Sequence, residues 1–393
     1  MTEQRGKIVE ITNPDQDRYA TVRLIDWWEQ ARLDKARVLV AGAGALGNEV
    51  VKNLALLGVG QIWLVDFDHV ETSNLSRAVL LREADVGLPK AEAVARRAQE
   101  LNPAVRVTPL LADLTTELGL GVVRRMDVVI GCLDSREARR ALNQACWRAG
   151  RPWVDGGLNV LDGLVRVFRP PAGPCYECTW SARDYELANV RYACPPGQAL
   201  PAGRAPTTVT AAALIAAMQA QEAVKLLHEL PVIEGRGGYY SGQTTRLLTM
   251  RYAVRPDCPA HEAYSPVLEL PLRAAATTVN EFLAAAGGES LALEQPVVTQ
   301  SYCQYCQQGE ALFRPYPLPV ALAVCPRCRR ERAIDVSPAL AVSEATAAVR
   351  LSQLGIPPLA VLPVRRANGW VYGELSGDAP ALALPVMESR KMT

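Results

Sequence analysis

The stretch that most constrains this chain runs from Val38 to Arg77, VLVAGAGALGNEVVKNLALLGVGQIWLVDFDHVETSNLSR. An apolar strand pattern turns through Gly42, Gly44 and Gly47, continues as an amphipathic helix and returns to a second apolar strand. This is a βαβ unit, which implies a parallel sheet. In G-x-G-x-x-G between a strand and a helix, backbone amides and the helix N-terminus are placed to receive phosphate. An acidic residue about 20 positions on holds the ribose hydroxyl in dinucleotide sites, and Asp66 satisfies that count. On the turn alone the chain reads as a nicotinamide-dependent oxidoreductase.

The residues beyond the turn shift that reading. Asp68, Asn74 and Arg77 come soon after Asp66, and a nicotinamide site has no need of a polar, arginine-bearing loop there. Asn and Arg near the phosphate end of a nucleotide suit a triphosphate, whose extra charge calls for a cationic clamp. Lys90, opening the helix after VGLP, supplies another cation. Asp134 in GCLDS closes a strand at its carboxyl end, where Mg²⁺ shared with phosphates is commonly held.

Further strand and helix patterns (KAEAVARRAQELN, VRVTPLLADL, MDVVIGCLDS, REARRALNQACWRAG, PWVDGGL) extend a doubly wound, mostly parallel Rossmann-like sheet to about Asp155. A strand-like segment then leads into RYACPPGQALPAGRAPTT, dense in Pro and Gly and without a period. TAAALIAAMQAQEAVKLLHEL resumes a helix whose apolar start marks it as buried, and GGYYSGQTTRLLTMRYAV reads as a hairpin. After Pro266 come an Ala-rich helix ended at Gly287, two C-x-x-C pairs around a Pro-rich spacer and a final α/β-like stretch. The expected organisation is therefore a first domain over 1–265 and a small C-terminal domain over 266–393.

Hydrophobic residues at 49% and charged residues at 21% fit a globular protein, and no run approaches the roughly 18 apolar residues of a membrane span. The N-terminal segment MTEQRGKIVEITNPDQDRY carries no secretion-signal core, so a cytoplasmic location is expected. Lys+Arg 42 against Asp+Glu 41 offers no global field for nucleic acid or an anionic membrane.

The ordered blocks G-x-G-x-x-G, D-x-D, SNLSR, VGLPKAE, CLDS and QAQEAVK resemble the ThiF/MoeB/HesA superfamily, the ubiquitin-activating-enzyme fold, over Arg18 to His261. The resemblance implies MgATP-dependent adenylation of the C-terminal glycine of a ubiquitin-like or sulfur-carrier protein. It assigns Asp66 to the ribose, Asn74, Arg77 and Lys90 to the phosphates, and Asp134 to Mg²⁺. It also implies a homodimer in which an arginine of an N-terminal R-Y-x-R-Q-like element reaches the partner's ATP. Here the segment reads DRYATVRLIDWW, with Thr21 in that arginine's place. Arg18 and Arg23 flank it, and each reads equally as part of a solvated N-terminal helix. The WW element and the glycine turn are similar to bacterial members encoded beside ubiquitin-like and conjugating-enzyme-like genes. A conjugating enzyme is thus the expected downstream partner, and a sulfur-carrier adenylyltransferase of cofactor biosynthesis is the alternative within the superfamily.

The ten cysteines sort by spacing and surroundings. Cys175 and Cys178 in CYEC form half of a zinc site, for which Cys258 and His261 in DCPAH supply the other half at the same spacing. Cys303, Cys306, Cys325 and Cys328 have zinc-ribbon spacing. Cys132 and Cys146 fall in core elements and read as packing. Cys194 lies in the Pro/Gly-rich segment between Arg191 and Arg204, a setting that stabilises a thiolate. Relatives that proceed to a thioester carry their catalytic cysteine on this crossover loop, so Cys194 is the expected nucleophile, an inert loop cysteine being the alternative.

Overall fold

The computed structural model describes residues 17–189 and 206–385. It divides into two compact units, one of residues 1–115 and 126–262, the other of residues 116–125 and 263–393.

The first unit is built on an eight-stranded sheet in the order β3-β2-β1-β4-β5-β6-β7-β8. Its strands are β1 (Arg37–Ala41), β2 (Gln61–Val65), β3 (Arg106–Leu110), β4 (Val128–Gly131), β5 (Trp153–Asn159), β6 (Asp162–Phe168), β7 (Arg236–Ser241) and β8 (Arg246–Arg251). β1 to β5 run parallel, and β6, β7 and β8 extend the sheet antiparallel beyond Asp155. This gives the doubly wound, mostly parallel sheet that the βαβ pattern implies. The helices of this unit are α1 (Gln30–Lys35), α2 (Ala45–Leu57), α3 (Lys90–Leu101), α5 (Arg136–Ala149), α6 (Ala182–Asn189) and α7 (Val209–Leu227), with α4 (Leu120–Arg124) belonging to the second unit.

The parallel strands are continuous apolar runs because both their faces are covered. Val38, Val40, Ile62, Leu64, Val128 and Ile130 are all buried in one core with Val50, Val51 and Leu54 of α2 and Ile215 and Ala216 of α7. α7 is anchored through Gln219, whose Nε2 donates to the carbonyls of Gly131 (2.8 Å) and Val154 (3.2 Å). Gly156 accommodates this approach, since a Cβ there would stand 2.4 Å from the Gln219 amide.

The N-terminal segment around Arg18 to Leu24 is a turn and a single 3-10 turn (Val22–Leu24) rather than a longer helix. Trp28 is buried, donates through Nε1 to Gln30 (3.0 Å) and packs on His228 at 5.3 Å between ring centroids. His228 closes α7: its Nδ1 lies 2.8 Å from the Val224 carbonyl and its Nε2 accepts the Glu29 amide at 3.1 Å. The tryptophan pair therefore ties the N-terminal segment to the end of α7, through a histidine whose place at a helix end marks it as structural.

The second unit carries α8 (Val279–Ala286) and a sheet in the order β11-β10-β13-β14-β9, with β12 also paired to β10. The strands are β9 (Val267–Leu270), β10 (Ser290–Cys303), β11 (Gln308–Pro315), β12 (Ala333–Ala341), β13 (Val361–Arg366) and β14 (Gly369–Leu375). α8 starts on a Thr278/Glu281 capping box and ends, as its sequence implies, on Gly287 in the left-handed conformation. Its Phe282 and Leu283 pack with Leu291, Val364 and Leu375. The chain's final stretch folds as the β13–β14 hairpin, without an α-helix among the described residues.

Residues 116–125, from the connection between β3 and β4, are part of this second unit. Gly121 donates its amide to the Leu359 carbonyl (2.9 Å), and a Cβ at Gly119 would stand 2.1 Å from the Pro358 carbonyl oxygen. Arg125 is fully buried against Glu374 at 2.6 Å and donates to the Gly121 and Pro385 carbonyls. Among the described residues no helix is long and apolar enough to cross a membrane.

Candidate active site

The carboxyl ends of β1, β2, β3 and β4 open onto a cavity of about 560 Å³. Gly42, Gly44, Asp66, Asp68, Asn74, Arg77, Lys90 and Asp134 all line it. The strand order reverses here, between β1 and β4, which is where open α/β sheets place their ligands.

The three glycines do different work. Gly42 has φ +99°, and a Cβ there would stand 2.5 Å from the Cys132 carbonyl oxygen. Gly47 does not line the cavity; a Cβ on it would stand 1.8 Å from the Gly42 carbonyl oxygen, so it lets α2 close on the turn. Gly44 has no protein atom within 4 Å of such a Cβ. What a side chain there would displace is the contents of the cavity.

Asn48, to which no motif points, holds the turn. Its Nδ2 donates to the carbonyls of Ala43 (2.7 Å) and Gly44 (3.1 Å), and its Oδ1 accepts the Leu80 amide at 3.0 Å. Those bonds hold the turn from behind, while the Gly42 amide donates to the Val65 carbonyl and the Ala43 amide to Asp66. An Asn in the first turn of α2, where helix propensity disfavours it, was the available signal.

Asp66 accepts the amides of Ala43 (2.6 Å) and Asp68 (2.8 Å). Burial raises its carboxyl pKa above the ordinary value, against the pull of those two amides and of Lys90. Lys90 pairs with Asp68 at 2.7 Å, and its backbone amide donates to the Asp68 carbonyl at 2.9 Å. A backbone bridge of His69 with Pro89 joins the D-x-D loop to the residue before α3. Asn74 accepts the Glu71 amide at 3.0 Å, and Arg77 donates to the Ser73 carbonyl at 2.9 Å, so both are fixed by the 3-10 turn Thr72–Asn74. Asp134 is exposed just before Ser135, which caps α5 by accepting the Ala138 amide.

Phe67, Asp113, Arg139 and Thr207 also line the cavity, and the sequence singled out none of them. Arg139 is held by the carbonyls of Leu133 (2.5 Å) and Gly156 (3.0 Å) and pairs with the buried Asp155 at 3.2 Å. Its place about a turn and a half beyond Asp134, on α5, would have indicated it. Cys132, on the cavity floor, is buried within 3.9 Å of Gln219, and burial, then Asp155, pushes its thiol pKa up. Cys146 is likewise raised by burial. Both are packing cysteines, as the sequence implied. Cys194, with Arg191 and Arg204, lies outside the described residues.

Both metal tetrads assemble. In each, one ligand atom per residue lies within 4.8 Å of the others: Cys175, Cys178, Cys258 and His261 in the first unit, and Cys303, Cys306, Cys325 and Cys328 in the second. A tetrahedral zinc thiolate site sets sulfurs about 3.8 Å apart. The separations are 3.5 Å for Cys175–Cys258, 3.3 Å from Cys178 Sγ to His261 Nε2, 3.5 Å for Cys303–Cys328 and 4.0 Å for Cys306–Cys325. His261 stacks on Trp147 at 4.1 Å, which fixes its ring plane. Burial raises the Cys175 and Cys258 thiols and lowers His261. In the second tetrad the Cys328 and Arg327 amides hold Cys325 down to about 6, while its hydrogen bond with Cys328 pushes Cys306 up to about 12. The donor sets fit zinc, which would draw the protons from the raised thiols.

The model of the ThiF family matches residues 16–260. The chain belongs to the ThiF family. It is 37% identical over 203 residues to the sulfur carrier protein adenylyltransferase of Thermus thermophilus, covering 50% of this chain and 71% of that one. With the SAMP-activating enzyme E1 of Haloferax volcanii it shares 35% identity over 237 residues, 58% of this chain and 82% of the relative. The adenylyltransferase and sulfurtransferase MOCS3 of Sus scrofa matches at 36% over 249 residues, 61% of this ThiF-family chain but 51% of the longer relative. Among solved structures, the E. coli MccB complex with ATP superposes with a TM-score of 0.53 at 22% identity, covering 63% of this chain and 74% of MccB, a likeness of fold. The family match stops at residue 260, so the ribbon-bearing unit lies almost wholly beyond it.

Proposed function

We propose that this ThiF-family enzyme adenylates the C-terminal carboxylate of a small ubiquitin-like or sulfur-carrier protein. The family makes it an ATP-dependent adenylyltransferase and sets aside the nicotinamide-dependent reading of the glycine turn. The observation that carries the proposal to residues is the cavity in which glycine turn, ribose carboxylate, two cations and Asp134 meet.

In the reaction, a carboxylate oxygen of the carrier bonds to the α-phosphorus of ATP. The bond from that phosphorus to the bridging oxygen breaks, and pyrophosphate leaves with the electron pair. The turn amides and the start of α2 would take phosphate oxygens. Asp66 would accept from the ribose hydroxyls. Arg77 and Lys90 would stabilise the charge that builds on the leaving pyrophosphate, Lys90 exchanging its pairing with Asp68 for a phosphate. Asp134 would hold Mg²⁺, which when bound supplies charge compensation to the phosphates.

Two fates of the adenylate divide the finer readings. The sulfur-carrier route, in which the adenylate is the product passed on, is favoured by the relatives' own names. The thioester route passes the carrier to Cys194 and then to a conjugating enzyme, and the setting of Cys194 between two arginines in sequence supports it. Homodimerisation is part of either route. With a cognate carrier ending in glycine, the enzyme should catalyse Mg²⁺-dependent exchange of pyrophosphate into ATP. Asp134→Ala should lose that exchange by about a hundredfold or more, as expected when transition-state charge compensation is removed. Undiminished exchange in the variant would remove Asp134 from the site.

A further inference from the structure

The second unit carries, at its cysteine tetrad, a charged surface that adenylation does not use. From Cys325 to Arg332 the chain reads CPRCRRER, four arginines and one glutamate, in a sequence that is almost neutral as a whole. Arg332 is paired with Glu310. Arg327, Arg329 and Arg330 are exposed, and none of the three has a carboxylate partner among the described residues. The backbone fixes where they stand: the Cys325 amide donates to the Arg330 carbonyl (2.8 Å) and the Arg329 amide to the Cys325 carbonyl (2.9 Å). Arg329 has φ +62°, a conformation that costs glycine nothing, yet the position holds a long cation. Strain kept at an exposed, charged turn points to use of that charge.

The facing C-x-x-C turn brings an aromatic ring to the same place. Tyr305, between Cys303 and Cys306, has the Arg330 guanidinium 3.9 Å from its ring centroid and is still 65% exposed. One face of the ring is thus covered by a cation and the other is left to solvent. The approaches of Cys303 to Cys328 (3.5 Å) and of Cys306 to Cys325 (4.0 Å) hold the two turns together, so ring and guanidinium groups form one surface. Guanidinium forks recognise phosphate, and an open aromatic face stacks an unpaired base. Cysteine knuckles that carry both suit single-stranded RNA, whose bases are free to be splayed onto a ring. Gln304 and Gln308, exposed beside Tyr305, add amide donors and acceptors for a 2′-hydroxyl. We infer that this knuckle face binds single-stranded RNA, with phosphates on Arg327, Arg329 and Arg330 and a base on Tyr305. An acidic protein would satisfy the arginines but would bring no base to the ring.

Fluorescence anisotropy of the zinc-loaded full chain with a short, labelled single-stranded RNA of mixed sequence, over a range of salt concentrations, tests it. Three arginine–phosphate contacts should give a log–log salt slope of about −2. Replacing Arg327, Arg329 and Arg330 together by Ala should flatten that slope. Tyr305→Ala should weaken binding about fivefold or more and leave the slope unchanged, the mark of a lost stack rather than a lost charge. An abasic strand of the same length should bind the parent as weakly as the mixed strand binds Tyr305→Ala. DNA of the same sequence should bind about threefold or more weakly, the span of one hydrogen bond to the 2′-hydroxyl. Each variant should keep the parent's metal content and melting temperature, since the replaced side chains are exposed. Equal binding of DNA would overturn the assignment to RNA. Polyglutamate that displaces the RNA at matched charge, or a Tyr305→Ala protein that binds like the parent, would assign the face to an acidic protein and overturn the inference. Absence of RNA binding by the parent at low salt would overturn it without any variant, and the adenylation reading would stand.

Discussion

At the residue scale the site is a set of small fixed jobs, and the glycine turn separates them best. Gly47 is needed by the fold, because a Cβ would stand 1.8 Å from a backbone oxygen, whereas Gly44 faces only the cavity. Gly47→Ala should therefore lower the melting temperature markedly, with a cost of ~1–3 kcal/mol at the least, as is typical of overpacking in a close-packed core. Gly44→Ala should melt near the parent temperature yet bind MgATP poorly. Calorimetric melting with parallel binding measurements checks both, and the reverse pattern would mean the turn does not cradle phosphate. Asp66 adds a pH dependence. The ribose role proposed for it needs the ionised carboxylate, and burial raises its folded pKa. Protonation then sets in at a higher pH than for an ordinary carboxylate of about 3.9, so ATP affinity should hold at neutral pH and fall as pH is lowered through that raised value. Titration of the dissociation constant downward from neutral pH, with Asp66→Asn as the variant that should lose this inflection, measures it.

At the element scale, what could be read from sequence was what depends on neighbours in the chain. The β1–α2–β2 unit, the end of α8 at Gly287 and the C-x-x-C pairs are set by local spacing, and they stand where the pattern puts them. Asn48, Arg139 and Asp113 were missed because their meaning depends on strands brought alongside from elsewhere. The segment 116–125 is the clearest case: its reason for leaving the first unit is a glycine pair packed on Leu359 and an arginine buried against Glu374, far along the chain. Periodicity within the segment carries no trace of either. The metal tetrads lie between these extremes, since each half is local and the pairing of halves is not. Two zinc ions per chain are expected by elemental analysis after dialysis. Cys325→Ser should release one and lower the stability of the second unit, while Cys258→Ser should release the other and loosen the first. A single ion in the parent, lost by one variant and kept by the other, would show that one tetrad does not bind metal.

At the scale of the whole molecule, the cavity belongs to the first unit and to the matched family region, while the second unit, apart from residues 116–125, lies beyond that match. If the carrier's activation and its later transfer are distinct steps, Cys194→Ala should keep pyrophosphate exchange near the parent level and form no thiol-cleavable adduct with the carrier on a gel. Cys132 and Cys146 are poor substitutes, because both are buried with their thiol pKa values raised. An adduct that survives in Cys194→Ala would place the nucleophile elsewhere, and an adduct absent from both proteins would select the sulfur-carrier route. The central claim is prior to that choice. It is most directly tested by incubating the full chain with Mg²⁺, ATP and a glycine-ending carrier and reading the carrier's mass. The account predicts that the carrier gains one adenylyl group on its C-terminal peptide, with pyrophosphate released in step. An unmodified carrier accompanied by ADP and free phosphate would contradict it.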